Sequence, residues 1–192
     1  MLIEKHPLEP FLPANAKILM LGSFPPPRAR WSMEFFYPNW INDMWRIWGI
    51  IYYNNKHHFE IEGEKKFCKE RVEAFCNATG IALYDTACEV VRLKDNASDK
   101  FLEVVTPTDI RALLKHIPHC TAIVTTGEKA TDVITETFQC EKPKVGAMTT
   151  IDINGRKLHF WRMPSSSRAY PLSIEKKALH YKEMLETELN RK

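Results

Sequence analysis

The sequence predicts a single α/β domain, a three-layer α/β/α sandwich around a short, mainly parallel sheet, and three observations carry that expectation. Short apolar runs alternate with amphipathic stretches of helical period. Several of those runs end at a glycine or an aspartate, as a buried strand entering a loop does. An Asn-Gly pair joins two strand-like segments near the end. A length of 192 residues suits one domain, here residues 1–192, and is enough to bury most of the surface that the unfolded chain exposes.

The elements follow in order. Residues 17–22 (KILMLG) form the first buried strand, and Ser23-Phe24-Pro25-Pro26-Pro27 after it cannot be helix interior, because the prolines remove donors and fix φ. Asn42 is placed as the N-cap of a helix whose apolar face carries Trp45, Trp48 and Ile51 or Tyr52. Residues 64–78 read as an amphipathic helix with Phe67, Arg71 and Phe75 on one face, stopped by Gly80. Residues 81–84 are a second strand with Asp85 at its carboxyl end. Thr108 is expected to cap a helix over 109–116, and a third strand at 121–125 delivers Gly127 to a helix over 128–138. Asn154-Gly155 between 149–153 and 157–161 signals a hairpin, and Ser173 is placed as the cap of a last helix ending near Leu189.

Composition narrows the function. With 44% hydrophobic and 27% charged residues the chain is not expected to be disordered. Its longest apolar run, 47–53, contains a glycine and is far short of the roughly 20 residues of a membrane span. Residues 1–4 lack a basic region followed by a long apolar one, so a cytoplasmic location is expected. Five cysteines without a Cys-x-x-Cys pair argue against a disulfide framework. Neither they nor His57, His58, His116, His119 and His159 share a ligand spacing, so no metal and no cofactor are expected. Net charge is +3, and residues 141–192 carry 11 Lys and Arg against 6 Asp and Glu. That excess suits either a mild footprint for a polyanion or a solvated surface.

Ligands of parallel α/β sheets bind outside the carboxyl ends of the strands. The loop at 22–27, Asp85, Gly127 and the loop Pro164-Ser165-Ser166-Ser167 should therefore converge on one crevice. Gly127 begins neither a phosphate-binding nor a dinucleotide-binding glycine motif, there is no G-x-S-x-G elbow, and no two histidines lie at i, i+4. Nucleotide-hydrolysing, nicotinamide-dependent, α/β-hydrolase and zinc-protease chemistries are disfavoured.

Four segments in order resemble the uracil-DNA glycosylase superfamily, most closely its hypoxanthine-DNA glycosylase branch, over about residues 17–175. Gly22-Ser23-Phe24-Pro25 is similar to the Gly-x-x-Pro loop of that superfamily, and Pro164-Ser165-Ser166-Ser167 to its late Pro-Ser loop. Between them, residues 34–45 match the branch's Glu-Phe-Tyr-Tyr-Gly-His-Pro-x-Asn-x-Phe-Trp segment at Glu34, Phe35, Tyr37, Asn42 and Trp45. Residues 80–85 and 126–130 resemble family strand ends.

There are departures. Phe24 stands where the best-known branches have a water-positioning Asp or Asn, and Met163 where they have a uracil-binding His or Asn. The His-Pro of the middle segment has become Asn39-Trp40.

The resemblance implies a monofunctional DNA glycosylase for deaminated bases, hypoxanthine before uracil, acting as a monomer on DNA without a membrane or metal. Asn42 would position the water. Ser23 and Phe24 would offer backbone donors to the base, Phe24 or Tyr37 a stacking face, and Asp85 an acceptor that reads the base edge. Ser165, Ser166 and Ser167 would bind phosphates, with Arg168 or Tyr170 filling the hole that the base leaves. Plainer roles stand beside these: a helix cap for Asn42, wall residues for Phe24 and Tyr37, and turns for Asp85 and the serines. A catalytically inactive nucleic-acid-binding protein of the same fold and a hydrolase or transferase of small nucleosides remain the alternatives.

Overall fold

The computed structural model describes residues 2–94 and 98–190. The central sheet holds five strands in the spatial order β3-β2-β6-β8-β7: β2 (Ile18–Gly22), β3 (Ile81–Asp85), β6 (Ala122–Thr126), β7 (Met148–Ile153) and β8 (Arg156–Met163). The first four of that order run parallel, and β7 is antiparallel to β8. Every residue of β2, β3 and β6 is buried. That is why these strands read as continuous apolar runs, since helices cover both faces of a parallel sheet.

Chain direction assigns the helices to faces. The connection from β2 to β3 carries α1 (Met44–Tyr53) and α2 (Lys69–Thr79), whereas α3 (Ile110–His116) and α4 (Glu128–Phe138) lie on connections running the opposite way along the sheet. Right-handed crossovers then put α1 and α2 on one face and α3 and α4 on the other. Side chains agree: Trp48 of α1 meets Phe75 of α2 at 5.7 Å and Tyr181 of α5 (Ile174–Leu189) at 5.9 Å between ring centroids, while Arg111 of α3 lies over Phe138 of α4. The connections after β2 and β6 leave in opposite directions, which opens a crevice at their carboxyl ends.

A second sheet was not legible beforehand. β4 (Ala87–Arg92) lies between β1 (Ile3–Lys5) and β5 (Leu102–Pro107), antiparallel to both. Its small core is Phe24, Ala87, Val90 and Leu102. This sheet brings the chain's N-terminal segment beside the end of β3. Among the described residues no helix is long and apolar enough to cross a membrane.

Three expected boundaries need correction. The helix expected over 64–78 begins at Lys69, because the backbone of its supposed first turn is spent in a hairpin: Ile61 N–H donates to Lys66, and Cys68 N–H to Phe59. Phe67 is buried there by a bridge to Glu60 rather than on a helix face. The cap of α3 is Asp109, whose carboxylate accepts from Ala112 N–H at 3.0 Å, and the Thr108 hydroxyl instead donates to the Asp85 carbonyl. Asn42 stands one residue before the N-cap position of α1, although its Oδ1 still accepts from Met44 N–H. The hairpin forms as its sequence implies, with φ of 57° at Asn154 and 71° at Gly155, and Ser173 caps α5.

Trp48 joins three helices and is fully buried. Trp48→Ala should lower unfolding stability by about 3–5 kcal/mol through lost burial and the cavity left behind. Leu179→Ala, on the exposed face of α5, should change it by about 0.5 kcal/mol or less. Guanidinium denaturation of both variants checks this, and equal midpoints would contradict the layer assignment.

Candidate active site

The crevice at the carboxyl edge of the parallel sheet holds a cleft of about 550 Å³. That size falls within the range of small-molecule sites, about 300–1,000 Å³. Its floor is the paired end of β2 and β3, where Gly22 lies opposite Asp85. A Cβ on Gly22 would fall 2.5 Å from Asp85 Oδ1, so only glycine lets that carboxylate fold over the neighbouring strand. Oδ2 of Asp85 is 2.8 Å from Nε2 of His6, whose side chain is almost wholly buried against Tyr84 and Phe24. No backbone N–H among the described residues donates to this carboxylate, so Asp85 is not held as a turn cap.

The segment resembling the glycosylase middle motif forms one wall. Tyr37 has φ of 51°, an uncommon left-handed conformation for a non-glycine residue. Its phenol lies 2.9 Å from Thr126 Oγ1 at the end of β6. Burial, with the Asp85 charge adding to it, pushes the Tyr37 phenol well above its ordinary range, so it stays protonated. Phe24 lines the cleft, but its ring also belongs to the core under the small sheet and meets His6 edge-on. It is a wall residue in this arrangement.

The Pro-Ser loop forms the opposite wall and is stitched to the Asn42 segment. Asn42 and Ser167 form an antiparallel bridge, Asp43 N–H donates to the Ser166 carbonyl at 2.9 Å, and Arg168 N–H to the Ile41 carbonyl. Ser165 Oγ accepts from Ser167 N–H, and Ser167 Oγ from Ala169 N–H. Both hydroxyls thus use a lone pair in local turns and keep their O–H for another partner. Beneath the loop, Nζ of the buried Lys177 donates to the Ser167 carbonyl at 2.7 Å. Burial lowers the proton affinity of that amine, against the opposing effect of Asp43.

Most of the residues singled out in the sequence come together here. Ser23, Phe24, Tyr37, Asn42 and Asp85 line the cleft, and so do Ser165, Ser166, Ser167 and Tyr170. Arg168 does not. Its guanidinium, half-exposed, is held on the Asp43 carboxylate by Nε and Nη2 at 3.1 Å each. Asp43 also receives Arg46, which is stacked against Trp40 and bonded to Glu60.

Sequence reasoning missed His6, Lys177 and Asp99. His6 sits in a segment without a motif, and Lys177 looks like one of many surface lysines of an amphipathic helix. Asp99 follows β4 in a short 3-10 turn and enters the cleft, where Ser23 Oγ donates to its Oδ1 at 2.8 Å.

No protein-family model and no curated protein matches the chain. A solved structure does: the solution NMR structure of a "putative Uracil DNA glycosylase" from Methanosarcina acetivorans, with a TM-score of 0.61 and 21% sequence identity. The match covers 96% of this chain and 99% of that one.

Gly22→Ala should drive the Asp85 carboxylate off His6. The imidazole signals of His6 in NMR spectra should then shift in Gly22→Ala in the same direction as in Asp85→Ala. Signals unchanged from the parent protein would mean that the glycine is not what holds the pair together. The conclusion from geometry and comparison together is that the chain has the mixed α/β fold of that solved structure, with its cleft at the same carboxyl edge that its own topology opens.

Proposed function

We propose that the protein is a DNA glycosylase that hydrolyses the N-glycosidic bond of a deaminated base, hypoxanthine before uracil. The observation that carries this reading is the convergence of the first-strand loop, the Asn42 segment and the Pro-Ser loop on one cleft. The solved structure of the same fold is described as a glycosylase, which agrees with it.

An enzyme that cuts a base from DNA must take the nucleotide out of the stack and support an oxocarbenium-like sugar. It must also stabilise charge growing on the base and hold a water. The extruded base would enter beside Phe24, Phe36 and Tyr37 and reach the floor at Gly22. There the Asp85 carboxylate, already bonded to His6 on one side, can accept from a second donor. Hypoxanthine at N1 and uracil at N3 present an N–H, whereas adenine and cytosine present a lone pair, so this acceptor favours the deaminated bases. An unmatched buried acceptor costs about 1–3 kcal/mol, which corresponds to roughly fivefold to 150-fold discrimination.

Asn42 would hold the water. Its Oδ1 has a second lone pair beyond the one used at Met44, and Asn42 lines the cleft. Ser165 and Ser167 would turn their free O–H groups to the phosphates that flank the extruded nucleotide. With Lys177 bound to a carbonyl beneath the loop, water rather than an amine is the nucleophile in this scheme, as a monofunctional glycosylase requires. One observation favours a second reading, a protein of this fold that binds nucleic acid without cutting it: Phe24 stands at the water-positioning place and is packed into a core.

Purified protein incubated with duplexes carrying hypoxanthine, uracil or no lesion separates the two. Free hypoxanthine should be released fastest, with affinity that falls as salt rises; binding without release would support the second reading. Asn42→Ala should slow single-turnover release by about 10²-fold or more. Asp85→Asn, which can present either amide face, should lose hypoxanthine activity and gain relatively toward adenine or cytosine. Unchanged rates in the first variant would leave Asn42 as a cap, and unchanged ratios in the second would remove Asp85 from base choice.

A further inference from the structure

The cleft contains a second carboxylate with no task in the scheme so far. Asp99 and Asp85 both line it, but in different company. Asp85 is paired with the buried imidazole of His6. Among the described residues Asp99 has the Ser23 hydroxyl on Oδ1 and no hydrogen-bond partner on Oδ2.

The charged and titratable groups around Asp99 come from every neighbouring element. Asp85 lies at the end of β3 with His6 behind it, Tyr37 in the wall segment, Lys129 at the start of α4 and Arg92 on β4. Lys100 is its chain neighbour and turns toward the Phe101 ring. None of these cations forms an ion pair with Asp99 among the described residues; Arg92 is bound to Glu4. Burial raises the proton affinity of Asp99 and the Asp85 charge adds to this, while the Ser23 bond, Lys129 and Arg92 oppose it. Asp85 holds an imidazole, whereas Asp99 holds one hydroxyl and keeps its second oxygen for the cleft, so the two carboxyl groups are suited to different roles.

We propose that Asp99 is the acid for the leaving base, donating its proton from Oδ2 to a ring nitrogen, N7 or N3, of an extruded purine. The proposal rests on the glycosylase reading and narrows its substrate class to purines. As the C1′–N9 bond breaks, its electron pair leaves with the base. The Asp99 proton goes onto the ring nitrogen, so the base departs neutral. The oxocarbenium carbon takes the oxygen of the water, and the proton that this water loses passes to solvent, from which the Asp99 carboxylate is protonated again. A uracil has no imidazole nitrogen, and its second ring nitrogen already carries hydrogen, so it gains nothing comparable from this acid.

The protonated form of Asp99 is the active one, so purine release falls as pH rises through its raised pKa.

The test is the pH profile of single-turnover base release from hypoxanthine and uracil duplexes by the full chain and by Asp99→Asn. That variant keeps an oxygen for Ser23 but has no acidic proton. The full chain should lose hypoxanthine activity with rising pH. Asp99→Asn should be slower by about 10²-fold at low pH with a flat profile, in line with general-acid contributions, and its uracil release should change little. A second variant, Ser23→Ala, removes the bond that favours the ionised form, so the falling limb should move to higher pH. It serves also if Asp99→Asn fails to fold.

A wild-type rate and slope in Asp99→Asn, or an equal loss for both bases without a change of slope, overturns the acid role while leaving the glycosylase reading intact. A limb that does not move in Ser23→Ala also counts against the acid role. If the parent protein releases no base from any duplex, both fall together.

Discussion

The floor of the cleft depends on one steric constraint: the Asp85 carboxylate crosses the end of the neighbouring strand, and it can do so only because Gly22 has no side chain. Parallel register puts the two residues side by side, and the missing Cβ converts that adjacency into a bond with His6 on the far side. The small antiparallel sheet exists on the same terms. By carrying the segment after β1 to the end of β3, it supplies the imidazole that accompanies the buried Asp85 carboxylate. A buried charge without such a partner would cost several kcal/mol or take up a proton. An acceptor at the base of the cleft, unlike a hydroxyl or an amide, then comes with a sign and a direction.

The walls are held differently. The Pro-Ser loop is bridged to the segment before α1, supported by Lys177 below and tied by Arg168 to Asp43. Asp43 and Glu60 enclose Arg46, whose guanidinium stacks on Trp40. These pairs are weak evidence for stability, since desolvation offsets most of their attraction. Their effect is geometric: they fix the two walls with respect to each other, so that Asn42 and the serine hydroxyls face the same space. The pair of Arg168 with Asp43 contributes to this.

The parts of the fold that could be read from the sequence were those whose pattern is local. The runs ILMLG, IALYD and AIVTT are buried on both faces and therefore uniformly apolar, and Asn154-Gly155 declares its turn by the φ values it tolerates. The small sheet was missed because its strands are short and partly exposed and because β1 pairs with a strand more than 80 positions away, as Glu4 with Val90. The early start given to α2 came from Phe67, whose spacing suits a helix but whose neighbours' backbone is spent in a hairpin. In the cleft, Asp85, Tyr37 and Asn42 could be named because each lies in a recognisable segment. His6 and Asp99 could not, since what distinguishes them is the partner that folding brings, the Asp85 carboxylate for one and the Ser23 hydroxyl for the other.

The central claim is that this cleft receives a nucleobase turned out of DNA. A crystal structure of the protein on a duplex with a single 2′-fluoro-2′-deoxyinosine, whose glycosidic bond resists cleavage, tests it most directly. The account predicts the hypoxanthine ring inside the cleft, its N1–H toward the Asp85 carboxylate, and the flanking phosphates at Ser165 and Ser167. DNA bound with every base still stacked, or seated on another face of the molecule, would contradict it.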